Sequence, residues 1–146
     1  MIDYIFGKED NTIEACSYNV RGAKGLFVCF TVDINPETKP DLVGDAQTLE
    51  GIPDNKFNRW RCDPPYNQIT AQKMYGTNLP VATKLLRACK VGSLLFLLLG
   101  SQNYQWCPPG AKRIGWIPIT IVPTNELRAL NIFYKYANLP MKGNKK

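Results

Sequence analysis

Seven consecutive residues, Ser93-Leu94-Leu95-Phe96-Leu97-Leu98-Leu99, carry no polar side chain after the first. A strand with one wet face alternates apolar and polar positions, so this run is expected to be covered on both faces. Gly25-Leu26-Phe27-Val28-Cys29-Phe30-Thr31-Val32 reads the same way. Strands of this kind belong in the middle of a sheet with layers on either side, which points to an α/β architecture. A membrane helix is the competing use of such a run. The stretch from Val91 to Leu99 reaches only about half a bilayer and is interrupted by Gly92 and Ser93, so no membrane span is expected.

Shorter candidates flank these two. Asp41-Leu42-Val43-Gly44 is a brief strand, and Phe57 to Cys62 is another that ends at Asp63. From Leu79 to Cys89 the spacing becomes helical, with Leu79, Ala82, Leu85, Leu86 and Cys89 as the apolar stripe. Pro80 suits a first turn, Thr77 or Asn78 a cap, and Gly92 an end. Two late strands, Ile114 to Val122 and Ala129 to Tyr136, are separated by the turn-forming Pro123-Thr124-Asn125-Glu126 and are expected to form an antiparallel hairpin. Pro118 places the first of them at a sheet edge or a bulge. The order suggests a sheet that is parallel in its first part. The link from Val32 to Asp41 is too short for a usual parallel crossover, so some connecting helices must be reduced to turns.

The chain's 146 residues fit one domain over residues 1–140, with the basic end MKGNKK (141–146) as a frayed tail. A hydrophobic content of 45% and a charged content of 21% are those of a folded protein. The absence of histidine excludes Ser-His and Cys-His nucleophile systems and histidine-based zinc sites; no metal is implied. Five cysteines, odd in number and without a C-x-x-C pair, read as reduced thiols, and the acidic, non-basic start MIDYIFGKED does not read as a signal peptide. A cytoplasmic protein is expected. The net charge of +6 favours polyanionic partners.

Three aspartates, Asp33, Asp45 and Asp63, each follow a predicted strand. In an open parallel sheet, ligands bind beyond the carboxyl ends of the strands. Each alone is an ordinary turn or cap residue, but their ordered succession is informative. The third opens Asp63-Pro64-Pro65-Tyr66, a tetrapeptide met by chance in about one chain in a thousand of this length.

Asp-Pro-Pro-Tyr at a strand end resembles the catalytic motif of the class I, Rossmann-like amino-methyltransferases that use S-adenosylmethionine. Thr31-Val32-Asp33-Ile34-Asn35-Pro36 is similar to that family's second-strand segment, and Val43-Gly44-Asp45-Ala46 to its third. The likeness runs from about Phe27 to Ala137. It implies a minimal, mostly parallel methyltransferase sheet with a C-terminal antiparallel hairpin. It implies that Asp33 holds the cofactor ribose and that Asp45 and Ala46 meet the adenine. Asp63, Pro64, Pro65 and Tyr66 then form the catalytic pocket, with Asn67, Trp106, Lys112 and Arg113 toward substrate. The substrate implied is an exocyclic amine of a DNA or RNA base, adenine N6 before others.

The family places a glycine-rich loop after the first strand. Here the corresponding segment is Ile13-Glu14-Ala15-Cys16-Ser17-Tyr18-Asn19, with Glu14 at the acid position and the Cys16 and Ser17 backbone toward the methionine moiety; Gly22 and Gly25 do not reproduce G-x-G spacing. Arg59 and Arg61 share one face of what should be a buried strand. That suggests a thinly covered face, available to a second subunit or to phosphates. Lys84, Arg87 and Lys90 read as a solvated helix face or a nucleic-acid path. Two other readings stand beside the enzyme: a methyltransferase-like subunit or scaffold that has lost the cofactor, and a methyltransferase for a protein or small-molecule amine.

Overall fold

A computed structural model describes residues 11–15, 29–46, 48–65, 68–76, 78, 82–100, 107, 109–121 and 126–138. In chain order the elements are β1 (Thr12–Ala15), β2 (Phe30–Asp33), a 3₁₀ turn (Pro36–Thr38), β3 (Leu42–Val43), β4 (Phe57–Cys62), α1 (Gln68–Tyr75), α2 (Ala82–Arg87), β5 (Cys89–Gly100), β6 (Ala111–Ile121) and β7 (Glu126–Lys135). The seven strands make one sheet in the order β3-β2-β1-β4-β5-β7-β6. Strands β1 to β5 pair in parallel, and β7 lies antiparallel to both β5 and β6. Among the described strands β7 alone runs against the rest.

The expected mostly parallel sheet with a C-terminal antiparallel pair is therefore present. The short β2–β3 link is also as expected, for its helix is reduced to the 3₁₀ turn. Asn35 caps that turn by accepting from the Glu37 amide, and Lys39 closes it at φ 51°. Asp41 then ties the link back onto β2. Its carboxylate accepts from the Thr31 amide at 2.8 Å and the Thr31 hydroxyl at 2.9 Å.

Side-chain alternation divides the sheet into two faces. On one, Ile13, Ala15, Val32, Trp60, Cys62, Leu95, Leu97, Leu99 and Phe133 pack under Ala82, Leu85 and Leu86 of α2. Phe57 meets Trp60 edge to face at 6.4 Å. Each leucine that α2 buries there contributes about 1.5–3 kcal/mol. The other face gathers Phe96, Leu130 and Ile132 against Leu94, Leu98, Ile117 and Ile119. Proline 118 lies in β6, the edge strand, which is irregular between Arg113 and Gly115.

The helical reading from Leu79 to Cys89 needs correction at its end. Cys89 is the first residue of β5, and Gly92 lies inside that strand rather than after a helix. Backbone competition explains this. The Arg87 and Ala88 carbonyls accept from the Asn55, Lys56 and Phe57 amides, so the chain joins β4 instead of adding a turn. Gly92, at φ 92°, accommodates the offset as pairing passes from Phe57↔Cys89 to Arg59↔Leu94. Helix α1 was not anticipated, because it buries only Ala71 and has no apolar stripe.

Lys135, 1% exposed, completes the junction between α2 and β5. Its ammonium donates to Asn55 Oδ1 at 2.7 Å, the Cys89 carbonyl at 2.7 Å and the Leu86 carbonyl at 3.2 Å. Burial pushes Lys135 below its ordinary range, and pushes the neighbouring Cys89 thiol from 9.0 up to about 12. Lys135→Met is expected to lower stability by about 3 kcal/mol in urea denaturation, since it strands buried acceptors. Between pH 9 and pH 12 the unfolded chain releases the Cys89 proton and the folded chain keeps it, so stability falls as pH rises. The wild type should thus lose up to about 1.4 kcal/mol per pH unit more than Cys89→Ala over pH 9–10.5, measured by the same denaturation.

Candidate functional site

The parallel pairing brings several strand ends to one edge. Ala15 lies opposite Val32 on one side and Cys62 on the other, so the residues that follow, Asp33 and Asp63, flank the end of β1. Asp33 is buried, and its Oδ1 accepts from the Asn35 amide at 2.8 Å. Asp45 follows β3 and is half-buried; its carbonyl accepts from the Thr48 and Leu49 amides, which fixes the turn. Ala46 packs into the core at 6% exposure. Three acids or their neighbours therefore border one edge, as the spacing of the sequence suggests.

Asp63 differs from the other two in how it is held. Its side chain is 53% exposed, yet Oδ1 accepts at 2.7 Å from Nη1 of Arg128, whose side chain is 4% exposed. Pro64, next in the chain, is buried, and Pro65 is partly so. A solvent-facing carboxylate is thus backed by a buried guanidinium on β7, and followed by two residues with fixed φ. Nothing in the spacing of the sequence singled out Arg128. The signal, in retrospect, is a cation in the same alternation as Leu130 and Ile132.

Glu14 sits within β1 beside Arg61, its register partner, and the two pair at 2.6 Å with side chains only 14% and 10% exposed. Arg59 stands 5.8 Å from the centre of the Phe96 ring. Both arginines are buried within the chain, at 6% and 8%. The two arginines are thus held within the chain rather than presented to phosphates, contrary to the expectation from the sequence. Burial first, and then the Glu14 carboxylate, raise the half-buried Cys29 thiol, against the effect of Arg61. A reactive cysteine is expected to show the opposite shift.

Lys112 and Arg113 belong elsewhere. Through the registers of β6, β7 and β5, Lys112 is level with Arg59 at the start of β4. Four residues back and three strands across place it roughly 20 Å from Asp63. Lys112 instead lies 5.6 Å from the Tyr134 ring centre, and Arg113 donates to Asn131 Oδ1 at 3.4 Å. They are not brought to the edge that holds the acids. Arg87 is likewise engaged, by an ion pair to Asp54 and by donation to the Leu49 and Ile52 carbonyls. Cys16, Tyr66, Asn67 and Trp106 lie outside the described residues. Among the described residues, no three His, Cys, Asp or Glu side chains gather as a metal site, and no helix is long and apolar enough to cross a membrane.

The sequence matches no protein-family model and no curated protein. Solved structures do match. TrmN from Thermus thermophilus aligns with a TM-score of 0.58 at 12% identity, over 85% of this chain and 43% of its own. The antibiotic-resistance methyltransferase Kmr aligns at 0.56 and 13% identity over 86% of each chain. A variant of the 16S rRNA (adenine(1408)-N(1))-methyltransferase from Catenulisporales acidiphilia, solved with its cosubstrate SAM, aligns at 0.51 and 11% identity over 88% of this chain and 85% of its own. The fold is that of the Rossmann-like, class I methyltransferases, and the chain spans less than half of TrmN.

The buried member of the Asp63–Arg128 pair sets an asymmetry in stability. Asp63→Ala removes the carboxylate from a desolvated guanidinium and is expected to cost about 2 kcal/mol. Arg128→Met leaves an aspartate that water already reaches, and should stay within about 1 kcal/mol of the wild type. Paired urea denaturation curves check this; equal losses would show that the burial asymmetry has no energetic meaning.

Proposed function

We propose that this chain is an S-adenosylmethionine-dependent methyltransferase acting on an exocyclic amine of a nucleic-acid base, adenine N6 first. The observation that carries the reading is the position of Asp63-Pro64-Pro65 at the carboxyl end of β4, with an exposed carboxylate anchored from behind. The fold and the edge position of Asp33 support it. The net charge of +6 supports capture of a polyanion.

The donor set fits the cofactor's ribose end. Asp33 supplies a carboxylate at the end of β2 where a diol needs acceptors, and Asp45 borders the neighbouring strand end. Cys16 and Ser17, expected at the methionine end, lie outside the described residues. When bound, the cofactor supplies an electrophilic methyl on a sulfonium.

An aromatic exocyclic amine is a weak nucleophile, because its lone pair is delocalised into the ring. Asp63 would accept one N–H and the Pro64 carbonyl the other. Both hydrogen bonds draw the nitrogen toward a tetrahedral geometry, with its lone pair directed at the methyl. The Asp63 carboxylate would also accept the surplus proton that methylation leaves on the amine nitrogen and pass it to water. The paired prolines restrict the loop and so limit the entropy lost on alignment. Tyr66 would stack on a base drawn from a single strand or out of a duplex.

Calorimetric titration with S-adenosylmethionine tests the cofactor site first. Micromolar binding is expected, weakened about 10- to 100-fold in Asp33→Ala by loss of a charge-assisted hydrogen bond. Transfer of labelled methyl to unmodified RNA or DNA, followed by nucleoside mass spectrometry, should then yield N6-methyladenosine with wild type and none with Asp63→Ala. A folded wild type that binds no cofactor selects the scaffold reading instead.

A further inference from the structure

We infer that Arg128 is a positioning residue, whose buried guanidinium sets the orientation of the Asp63 carboxylate at the sheet edge. The inference rests on the methyl-transfer reading of Asp63 and adds to it a part supplied by the far side of the sheet. Residues 63 and 128 are 65 apart in sequence and are joined by a contact of 2.7 Å.

Stability alone does not account for an arginine here. Position 128 shares a face with Leu130 and Ile132, and its register partner on β6 is Ile119, part of the same apolar cluster. An aliphatic side chain would extend that cluster, whereas burying a guanidinium carries a desolvation penalty of several kcal/mol. The arrangement benefits the carboxylate instead. An aspartate just past a strand end can rotate about two side-chain bonds, and Arg128 removes that freedom through a planar, rigid donor. The donor itself stands on firm ground: β7 is hydrogen bonded along both sides, with Gly100 and Ile119 opposite residue 128. A carboxylate presents about four lone-pair sites. The bond from Nη1 to Oδ1 orients the group while using one of those sites.

The prediction concerns rate rather than affinity. With labelled S-adenosylmethionine and saturating unmodified RNA or DNA, Arg128→Met should keep the wild-type melting temperature and the KM for the cofactor within about twofold. Its kcat should fall about 100-fold, the effect of a reacting group displaced by about 1 Å. Arg128→Lys retains the charge but not the planar donor, and should recover part of the rate. Wild-type kcat in Arg128→Met overturns the positioning role and leaves the reading of Asp63 intact, as does a raised KM for cofactor with kcat unchanged. If Arg128→Met does not fold, Arg128→Lys decides: a lower kcat at constant KM supports the role, and an unchanged kcat overturns it. A folded wild type that transfers no methyl, or an Asp63→Ala variant that transfers it at the wild-type rate, overturns the reading of Asp63 and the role of Arg128 with it.

Discussion

The structure depends on a strand of four residues. β1 is hydrogen bonded to β2 on one side and β4 on the other, both in parallel, and so sets the level at which their carboxyl ends stop. Had Ala15 been aligned one residue earlier or later, the side chains that follow would change faces, and Asp33 and Asp63 would no longer flank a common edge. Such a short strand holds its place through what it buries: Ile13 and Ala15 are fully covered on the core face. On the other face the Glu14–Arg61 pair, made between register partners, favours this alignment over its neighbours. A shift of one residue would separate the charges and bury both unpaired, at several kcal/mol.

Much of this was legible in the sequence, and for identifiable reasons. β4 has the bounds read from Phe57 to Cys62, and the hairpin of β6 and β7 follows from two apolar runs around turn residues. Those signals are local. The end of α2 was not legible, because the groups that stop it, the Asn55 to Phe57 amides and the Lys135 ammonium, come from distant segments. Helix α1 left no signal, since a helix with one buried residue has no periodicity to read.

The site divides along the same line. Asp33, Asp45 and Asp63 could be found because a strand end is a local feature. Their surroundings could not. Arg59 and Arg61 were recognisable as cations in a strand that ought to be dry, but without the strand order their partners, Phe96 and Glu14, were out of sight, and an open face was the natural reading. Lys112 and Arg113, placed toward the substrate by the resemblance, lie at the other end of the sheet, because β6 runs parallel to β5 and they stand at its start.

These charges share a physical logic. Arg61, Arg128 and Lys135 are each buried in the sheet, and each ends on an acceptor from a different part of the chain. An aliphatic contact has no preferred direction and tolerates a slipped register, whereas a buried cation has a low energy only where its acceptor is. Two of the three determine alignment: Arg61 sets β1 against β4, and Lys135 sets β7 against the α2–β5 junction. Arg128 differs in that its acceptor faces water, so the order it imposes lies outside the core, on a carboxylate that packing could not have held. A charge anchored in the interior of the sheet thereby lends fixed geometry to one side chain at its edge.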